Sequence, residues 1–456
     1  MESRIRKYWR NRSASRAYRS AVSLHGHTLY SREILVMVPR IVCRLTLRNW
    51  YRGTAHGGST GLDVSRLWWT PPLSPRQAWL IEQRQIVDRL DCRPMISLTD
   101  HDSIDAPLML RALSKSRDVP VSAEWTVPFH NTFFHVGVHN LPPNKARTLF
   151  HEMNGYASDP KPERLTELLA GLNEDPGVLC VLNHPLWDER GIGQSAHRTV
   201  VEDLLHRNGR FLHAFELNGF RPAAENDRVA ELAVAFHRPV ISGGDRHGRE
   251  PNANLNLTNA ATFPEFVSEV REDRRSVVLW MPQSRERRSV RYLRVLGDIV
   301  RDDPHHGLGW TRWNERFFYR CDDGVVRSLS AIWGDGSAPL VMNRIVTAVQ
   351  LLDRARLKWV QTLPDVSPEA EPHIRPRAYR LEQLFPKELV MRKARNSRSR
   401  SMRLNPIPGS ARPKRRLWRP SAAPGKPENP RLQNVPEEAE KVAEVATEAL
   451  ESSPDS

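Results

Sequence analysis

The chain has 456 residues, 39% hydrophobic and 27% charged, a globular composition that excludes wholesale disorder and allows one large domain with appendages. Lys and Arg outnumber Asp and Glu by 68 to 53, yet the excess sits at the ends: seven cations accompany Glu2 in residues 1–20, fourteen accompany two acids in 387–431, and seven acids accompany Lys441 after that. Residues 21–386 carry only +3, so a nearly neutral body is flanked by charged segments.

Residues 1–18 read as a basic N-terminal segment. From there, short runs rich in Val, Ile, Leu and Phe are separated by helix-like stretches, which predicts parallel α/β architecture. The first run, Ala21–Leu24, precedes an insertion of about residues 33–73 containing His56-Gly57-Gly58-Ser59 and Trp68-Trp69, a length typical of a lid or binding loop. Ser74-Pro75 then caps an amphipathic helix over Ala78–Leu90. Further strands are expected at Met95–Thr99, Val119–Ala123, Phe133–Val138, Val178–Leu182, Ala214–Leu217 and Val240–Ser242, with an eighth apolar run, Val277–Trp280, after a helix starting near Pro264. This barrel-forming region extends over residues 19–285. Residues 286–386 read as a mainly helical accessory region, with helices at Tyr292–Val300 and Met342–Trp359 around an aromatic stretch from Trp310 to Tyr319. The Arg-, Ser- and Pro-rich, then acidic, composition of 387–456 predicts a disordered tail.

Cys43, Cys92, Cys180 and Cys321 form no C-x-x-C pair, which fits free thiols in a reducing compartment. The basic N-terminus lacks an apolar stretch of signal-peptide length, and Ile34–Val38 is broken by Pro39 and Arg40. A soluble cytoplasmic protein with no membrane partner is the expectation.

The chemistry lies at the ends of the apolar runs. The first ends in His25-Gly26-His27, the second in Asp100-His101-Asp102 and the third in Glu124; the fourth contains His135. The fifth ends in Asn183-His184-Pro185, the sixth carries Glu216 and Asn218, and the seventh leads into Asp245-Arg246-His247. In a closed parallel barrel such ends converge on one face. Residues i and i+2 of an extended segment point the same way, so His25 with His27, and Asp245 with His247, would each aim two ligands at one point. A single H-x-H is more often a packed or surface pair. Six histidines at strand ends in one phase, together with Glu124 and Asp245, point instead to a centre of two or three ions, because mixed imidazole and carboxylate ligation suits Zn, Mn or Fe. His130, His139 and His213 read as packing or rim residues, and His305-His306 as part of a polar loop. Gly243-Gly244 reads as a tight turn before Asp245.

Taken as an ordered set, His25-x-His27-Thr28, Thr99-Asp100-His101-Asp102, Glu124, His135-Val136-x-Val138, Asn183-His184-Pro185, Glu216-x-Asn218 and Asp245-x-His247 resemble the polymerase and histidinol phosphatase (PHP) superfamily. The small metal-dependent phosphoesterase branch is the most similar, over about Arg19 to Trp280. The resemblance implies a distorted (β/α)7 TIM-like barrel that hydrolyses phosphoesters with two or three divalent ions. It would place His25, His27, Glu124 and Asp245 on one ion, with Glu124 bridging to a second held also by His135 and His184. His101 and His247 would help to hold a third, and Asp100 would fix an imidazole tautomer. Ser23 and Arg32 stand where members commonly carry Asp. The second departure bears on the ion of His101 and His247: either Glu33, one residue on, supplies the carboxylate, or Arg32 fills the place with its own charge and two ions remain.

The implied reaction is hydrolysis of a phosphate mono- or diester, nucleotide or oligonucleotide favoured, by metal-activated water. His184 would carry a proton, and Arg32, Arg246 or Arg249 would grip the phosphate. Amidohydrolase barrels also begin with H-x-H but use a bridging Lys and a late lone Asp, whereas this chain offers Glu124 and Asp245-x-His247. A reading of another class is a catalytically degenerate module that binds nucleic acid through basic terminal segments, residues 387–431 above all, with affinity falling steeply with salt.

Overall fold

A computed structural model describes residues 2–34, 66–113, 116–333 and 336–355. The tail, Cys43, Trp359 and most of the predicted insertion, including His56 to Ser59, lie outside the described residues. In chain order the elements are β1 (Glu2–Lys7), β2 (Ser20–Ser23), β3 (Glu33–Ile34), β4 (Leu67–Trp69), α1 (Pro75–Leu90), β5 (Arg93–Ile96), α2 (Asp105–Ala112), β6 (Val121–Phe129) and β7 (Thr132–Leu141). They continue with α3 (Ala146–Tyr156), α4 (Pro162–Glu174), β8 (Leu179–Asn183), α5 (Gln194–Asn208), β9 (Ala214–Asn218), α6 (Ala223–Ala235), β10 (Val240–Gly243), β11 (Asn254–Thr258), α7 (Phe263–Arg271) and β12 (Arg275–Trp280). The last part holds α8 (Arg288–Ile299), β13 (Phe317–Arg320), β14 (Val326–Ser328), α9 (Leu329–Ile332) and α10 (Leu340–Ala355).

The architecture is mixed α/β. One five-stranded sheet has the order β1-β12-β11-β2-β5, a second β10-β9-β8-β7-β6, and a four-stranded sheet β14-β13-β4-β3. Backbone links join the two larger sheets at two places. Gly26 bridges Arg246, with His27 N–H donating to Arg246 O at 2.8 Å; His101 bridges Glu124, with Asp102 N–H donating to Glu124 O at 3.0 Å. These links fall where β2 meets β10 and where β5 meets β6, which brings the residues after those strands beside one another.

The alternation predicts parallel strands, and the structure corrects this. β6, β7 and β8 pair antiparallel, and β11 runs antiparallel to both β2 and β12. The chain reverses from β6 to β7 through a short turn in which His130 takes a left-handed φ of 53°. Between β7 and β8 it passes through two helices instead of one. The N-terminal segment also forms more than an appendage, since β1 pairs in parallel with β12. Residues 288–355 hold strands as well as helices: β13 pairs with β4, so Phe317 opposes Trp69.

Local chemistry accounts for the main elements. α1 starts with a capping box in which Ser74 N–H donates to Gln77 Oε1 at 2.9 Å and Gln77 N–H to Ser74 Oγ at 3.3 Å, with Pro75 in the first turn. It ends at Asp91, whose φ of 54° is left-handed. Strand β6 buries Trp125 and Val127, and the Trp125 indole N–H donates to Met153 O at 3.0 Å. Apolar side chains of α3 to α6 cover the sheet around β8, those of α1 and α7 cover the sheet around β2, and α8 and α10 pack with β4 and β13. No helix of the described residues is long and apolar enough to cross a membrane.

Candidate metal centre

Glu124, fully buried in β6, is the centre of the site. Its Oε2 lies 2.9 Å from His25 Nε2, 3.4 Å from His27 Nε2 and 3.4 Å from His101 Nε2. Its Oε1 lies 3.2 Å from His184 Nε2 and 3.6 Å from His135 Nδ1. Asp245 Oδ1 stands 3.5 Å from both His25 Nε2 and His27 Nε2. Among the described residues four groups have ligand atoms within 4.8 Å of one another: His25, His27 and Asp245; His25, Glu124 and His184; His101, Glu124 and His135; and His27, Glu33, His101 and His247. All eight metal-ligand candidates of the sequence are thus drawn into one cluster.

The i, i+2 pairs meet, though not by simple extension. His25 and Asp245 have left-handed φ of 59° and 52°, and His184 has 27°, so the chain bends sharply where each ligand leaves its strand. Such bends in non-glycine residues carry strain of about 1–3 kcal/mol each and gather at functional sites. Gly243 and Gly244 precede Asp245 without positive φ; they leave room rather than form the expected turn. A Cβ on Gly243 would overlap Glu216, and one on Gly244 would overlap Asn252.

Several partners fix the ligands. Glu216 contacts His25 Nδ1 and accepts His184 N–H at 2.8 Å, leaving His25 Nε2 toward Glu124. Asn218 Nδ2 donates to Glu216 Oε2 and to Asp245 Oδ2, each at 3.1 Å, and Asn183 Nδ2 donates to Glu124 Oε1 at 2.9 Å. Sequence reasoning gave no role to Glu216 or Asn183; the signal it had was a polar residue inside an otherwise apolar strand.

Glu33, and not Arg32, faces the cluster. Glu33 Oε2 is 3.1 Å from His247 Nε2 and 3.6 Å from His101 Nε2, while Ser31 Oγ donates to Glu33 Oε1 at 2.5 Å. Arg32 is exposed, its guanidinium 6.0 Å from the Trp68 ring, at the rim of a cleft over the cluster. Trp69, Phe133, Trp187 and Glu189 form the walls. The other two phosphate-gripping candidates lie elsewhere. Arg246 is buried and bound to Glu82 at 3.0 Å, because it sits where β2 and α1 pack; Arg249 reaches Asp303 at 3.3 Å on the surface. Asp100 does not meet an imidazole either: its carboxylate accepts Thr28 N–H at 2.5 Å and Thr28 O–H at 2.7 Å, pinning the loop after His27. The three histidines read as packing or rim residues have structural partners, His130 with Asp203, His139 with Ser97 and His213 with Asn173.

Burial alone would make Glu124 a weak acid, yet His25, His101 and His135 around it hold its carboxyl well below the usual range. Asp245 and Glu33 are held low in the same way, by His25 with His247 and by His247 with His101. Burial and His247 press His27 down to about 4, which leaves it neutral and able to ligate. His247 rises to about 9 because Glu33 and Asp245 outweigh its burial. Burial lifts Asp100 to about 7.

The donor set fits divalent ions. Among the described residues His27 Nε2 is buried without a hydrogen-bond partner while facing two carboxylates, an orphaned polar atom of the kind that a bound cation would satisfy. Nitrogen and oxygen donors without thiolate suit Zn, Mn or Fe.

No family model matches the sequence, and no curated protein matches it. Among solved structures the chain is similar to PsfC from Pseudomonas syringae PB-5123, with 17% identity and a TM-score of 0.37 over 60% of this chain and 96% of that one. It is similar to a candidate metal-dependent phosphoesterase from Bifidobacterium adolescentis, with 13% identity and a TM-score of 0.31 over 44% and 91%. It is also similar to an amidohydrolase from Chromobacterium violaceum with bound sulfate and no metal, with 14% identity and a TM-score of 0.30 over 51% and 89%. The chemistry of the site rests on its own residues.

Proposed function

We propose that the protein is a metal-dependent hydrolase of phosphate mono- or diesters, a nucleotide or oligonucleotide being the favoured substrate. The observation that carries this reading is one buried carboxylate, Glu124, surrounded by five imidazoles within 3.6 Å, with Asp245 and Glu33 beside them. His25, His27, Glu124 and Asp245 would hold one ion, Glu124, His135 and His184 a second, and Glu33, His101 and His247 a third. Divalent ions bound there supply Lewis acidity that offsets phosphoryl charge and makes hydroxide available near neutral pH.

The chain's own side chains do the rest. Arg32 at the rim can orient the phosphate, the indole and phenyl walls restrict water, and His184, at the cleft and bonded to Glu124, can move a proton to the departing oxygen in the state where it is not committed to an ion. The backbone bridges that tie β2 to β10 and β5 to β6 support reading seven strands, β2 and β5 to β10, as one distorted barrel with these residues at its mouth. The ordered motifs that resemble the PHP superfamily favour phosphoesters over amides, and Glu124 stands where an amidohydrolase would use Lys.

The test is metal analysis of the purified protein, followed by a panel of phosphoesters and amides with Mn or Zn. Phosphate or nucleotide release should be lost in a protein carrying both His25→Ala and Asp245→Ala. Unchanged turnover in that double variant, or turnover of amides alone, would refute the assignment.

A further inference from the structure

A second surface, away from the buried cluster, has the chemistry of a polyanion-binding face. Residues 7–19 are an ordered strap and not a loose arm. Ala14 and Ser15 are buried, the Cys92 thiol faces Ser15 O and Tyr18 O at 3.8 and 3.7 Å, and Arg93 N–H donates to Arg19 O at 3.0 Å. Tyr8 O–H donates to Arg89 O at 3.2 Å, which ties the strap to the end of α1, and Arg285 lies 5.6 Å above the Trp9 ring.

This packing displays Lys7, Arg10, Arg12, Arg16, Arg89 and Arg93, all exposed, from three stretches of chain. Among the described residues none of the six makes an ion pair, unlike Arg207 with Asp203 or Arg327 with Asp323. Residues 7–19 and 88–93 themselves contain no acids except the exposed Asp88 and Asp91, so these stretches carry a strong net positive charge. Unpaired cations held in place repel one another, a cost that an incoming polyanion removes together with its counterions. Tyr8, Trp9 and Tyr18 are half-buried among them, and cations interleaved with aromatic rings are the combination that binds single-stranded nucleic acid, phosphates to the cations and bases on the rings.

We infer that the face formed by residues 7–19 and the end of α1 binds the sugar–phosphate backbone of single-stranded nucleic acid. The inference stands without the phosphoesterase reading, because it concerns binding alone.

The test is fluorescence anisotropy of a labelled single-stranded phosphorothioate oligonucleotide with the full metal-loaded chain, over a range of salt concentrations. Two full-length variants are compared with the parent. One carries Arg10→Ser, Arg12→Ser, Arg16→Ser and Arg89→Ser; the other carries Arg412→Ser, Lys414→Ser, Arg415→Ser and Arg416→Ser in the tail. The face variant should bind about tenfold more weakly or worse, with its log–log salt slope flatter by about 0.7 for each phosphate that the face no longer neutralises. A version with Lys at the same four face positions should keep most of the affinity, and unchanged melting and metal content would show that the fold is intact. Equal binding by parent and face variant would overturn the inference, as would a drop in affinity confined to the tail variant. Binding to anionic vesicles but not to the oligonucleotide would overturn it too, and so would oligonucleotide binding that appears only when residues 432–456 are removed, which would give the face to the chain's own acidic end.

Discussion

Replacing Gly243 with Ala tests how the strands support the ligands. A Cβ there would overlap Oε1 and Cδ of Glu216 and lie 2.5 Å from its Cγ, against an ordinary separation of 3.4 Å or more. The backbone has little room to yield, because Gly243 pairs with Asn218, its carbonyl accepts Gly219 N–H at 2.7 Å, and the next residue donates to Leu24 O at 3.0 Å. Glu216 must therefore move, and it is the group that contacts His25 Nδ1 and holds His184 N–H. Overpacking of this kind costs about 1–3 kcal/mol of stability. Loss of the carboxylate that orients a ligating imidazole costs about 10- to 100-fold in metal affinity. Urea unfolding of the metal-free protein would read the first, and competition with a chromophoric chelator the second. The decisive comparison is a double-mutant cycle. All three close atoms belong to the Glu216 side chain beyond Cβ, so in a Glu216→Ala background the added Gly243→Ala should cost less than about 0.5 kcal/mol. Equal costs of Gly243→Ala in both backgrounds would refute the reasoning, as would a Gly243→Ala protein that binds metal like the parent.

In the metal-free protein, His247 is raised from 6.5 to about 9, Glu33 and Asp245 outweighing burial, so its stabilisation is complete below 6.5 and is lost as pH climbs through about 9. Urea unfolding at a series of pH values should show that fall, and His247→Gln should flatten it; metal affinity should rise over the same window, because the proton must leave before an ion binds. Arg246→Met should lower stability by about 3–5 kcal/mol by leaving the buried Glu82 unpaired, while Arg32→Ala should raise KM and leave the melting temperature unchanged. Trp125→Ala should cost about 3–5 kcal/mol in urea unfolding, since it empties the space under β6 that positions Glu124.

The cluster of buried imidazoles and carboxylates was legible because seven of the eight apolar runs carry or lead into one of these groups. All eight predicted runs fall within or overlap strands, among them Ala21–Leu24 on β2 and Val277–Trp280 on β12. What it hid was hidden for physical reasons. β1, Glu-Ser-Arg-Ile-Arg-Lys, is an exposed edge strand held by its backbone, so its side chains give no apolar signal. β11, Asn-Leu-Asn-Leu-Thr, alternates, but its inward positions are amides that make sense only beside Leu217 O and Ser242 Oγ. The antiparallel course of β6 to β8 depends on a turn and on a paired helical connection, which periodicity does not encode. Arg246 read as a phosphate ligand because it stands between Asp245 and His247; its alternation with them turns it to the opposite side, onto Glu82. The sequence left open whether Glu33 supplies the missing carboxylate or Arg32 fills the place with its own charge, and only packing against Ser31 and His247 decides for Glu33.

The left-handed corners at His25, His184 and Asp245 bear on any effort to engineer this molecule. A redesign that scored each position by how comfortably its amino acid sits on the chain trace would flag these three first, and would install glycine or asparagine to relax them. The product would be a sturdier scaffold stripped of its grip on cations. At those corners, durability and purpose ask for different residues.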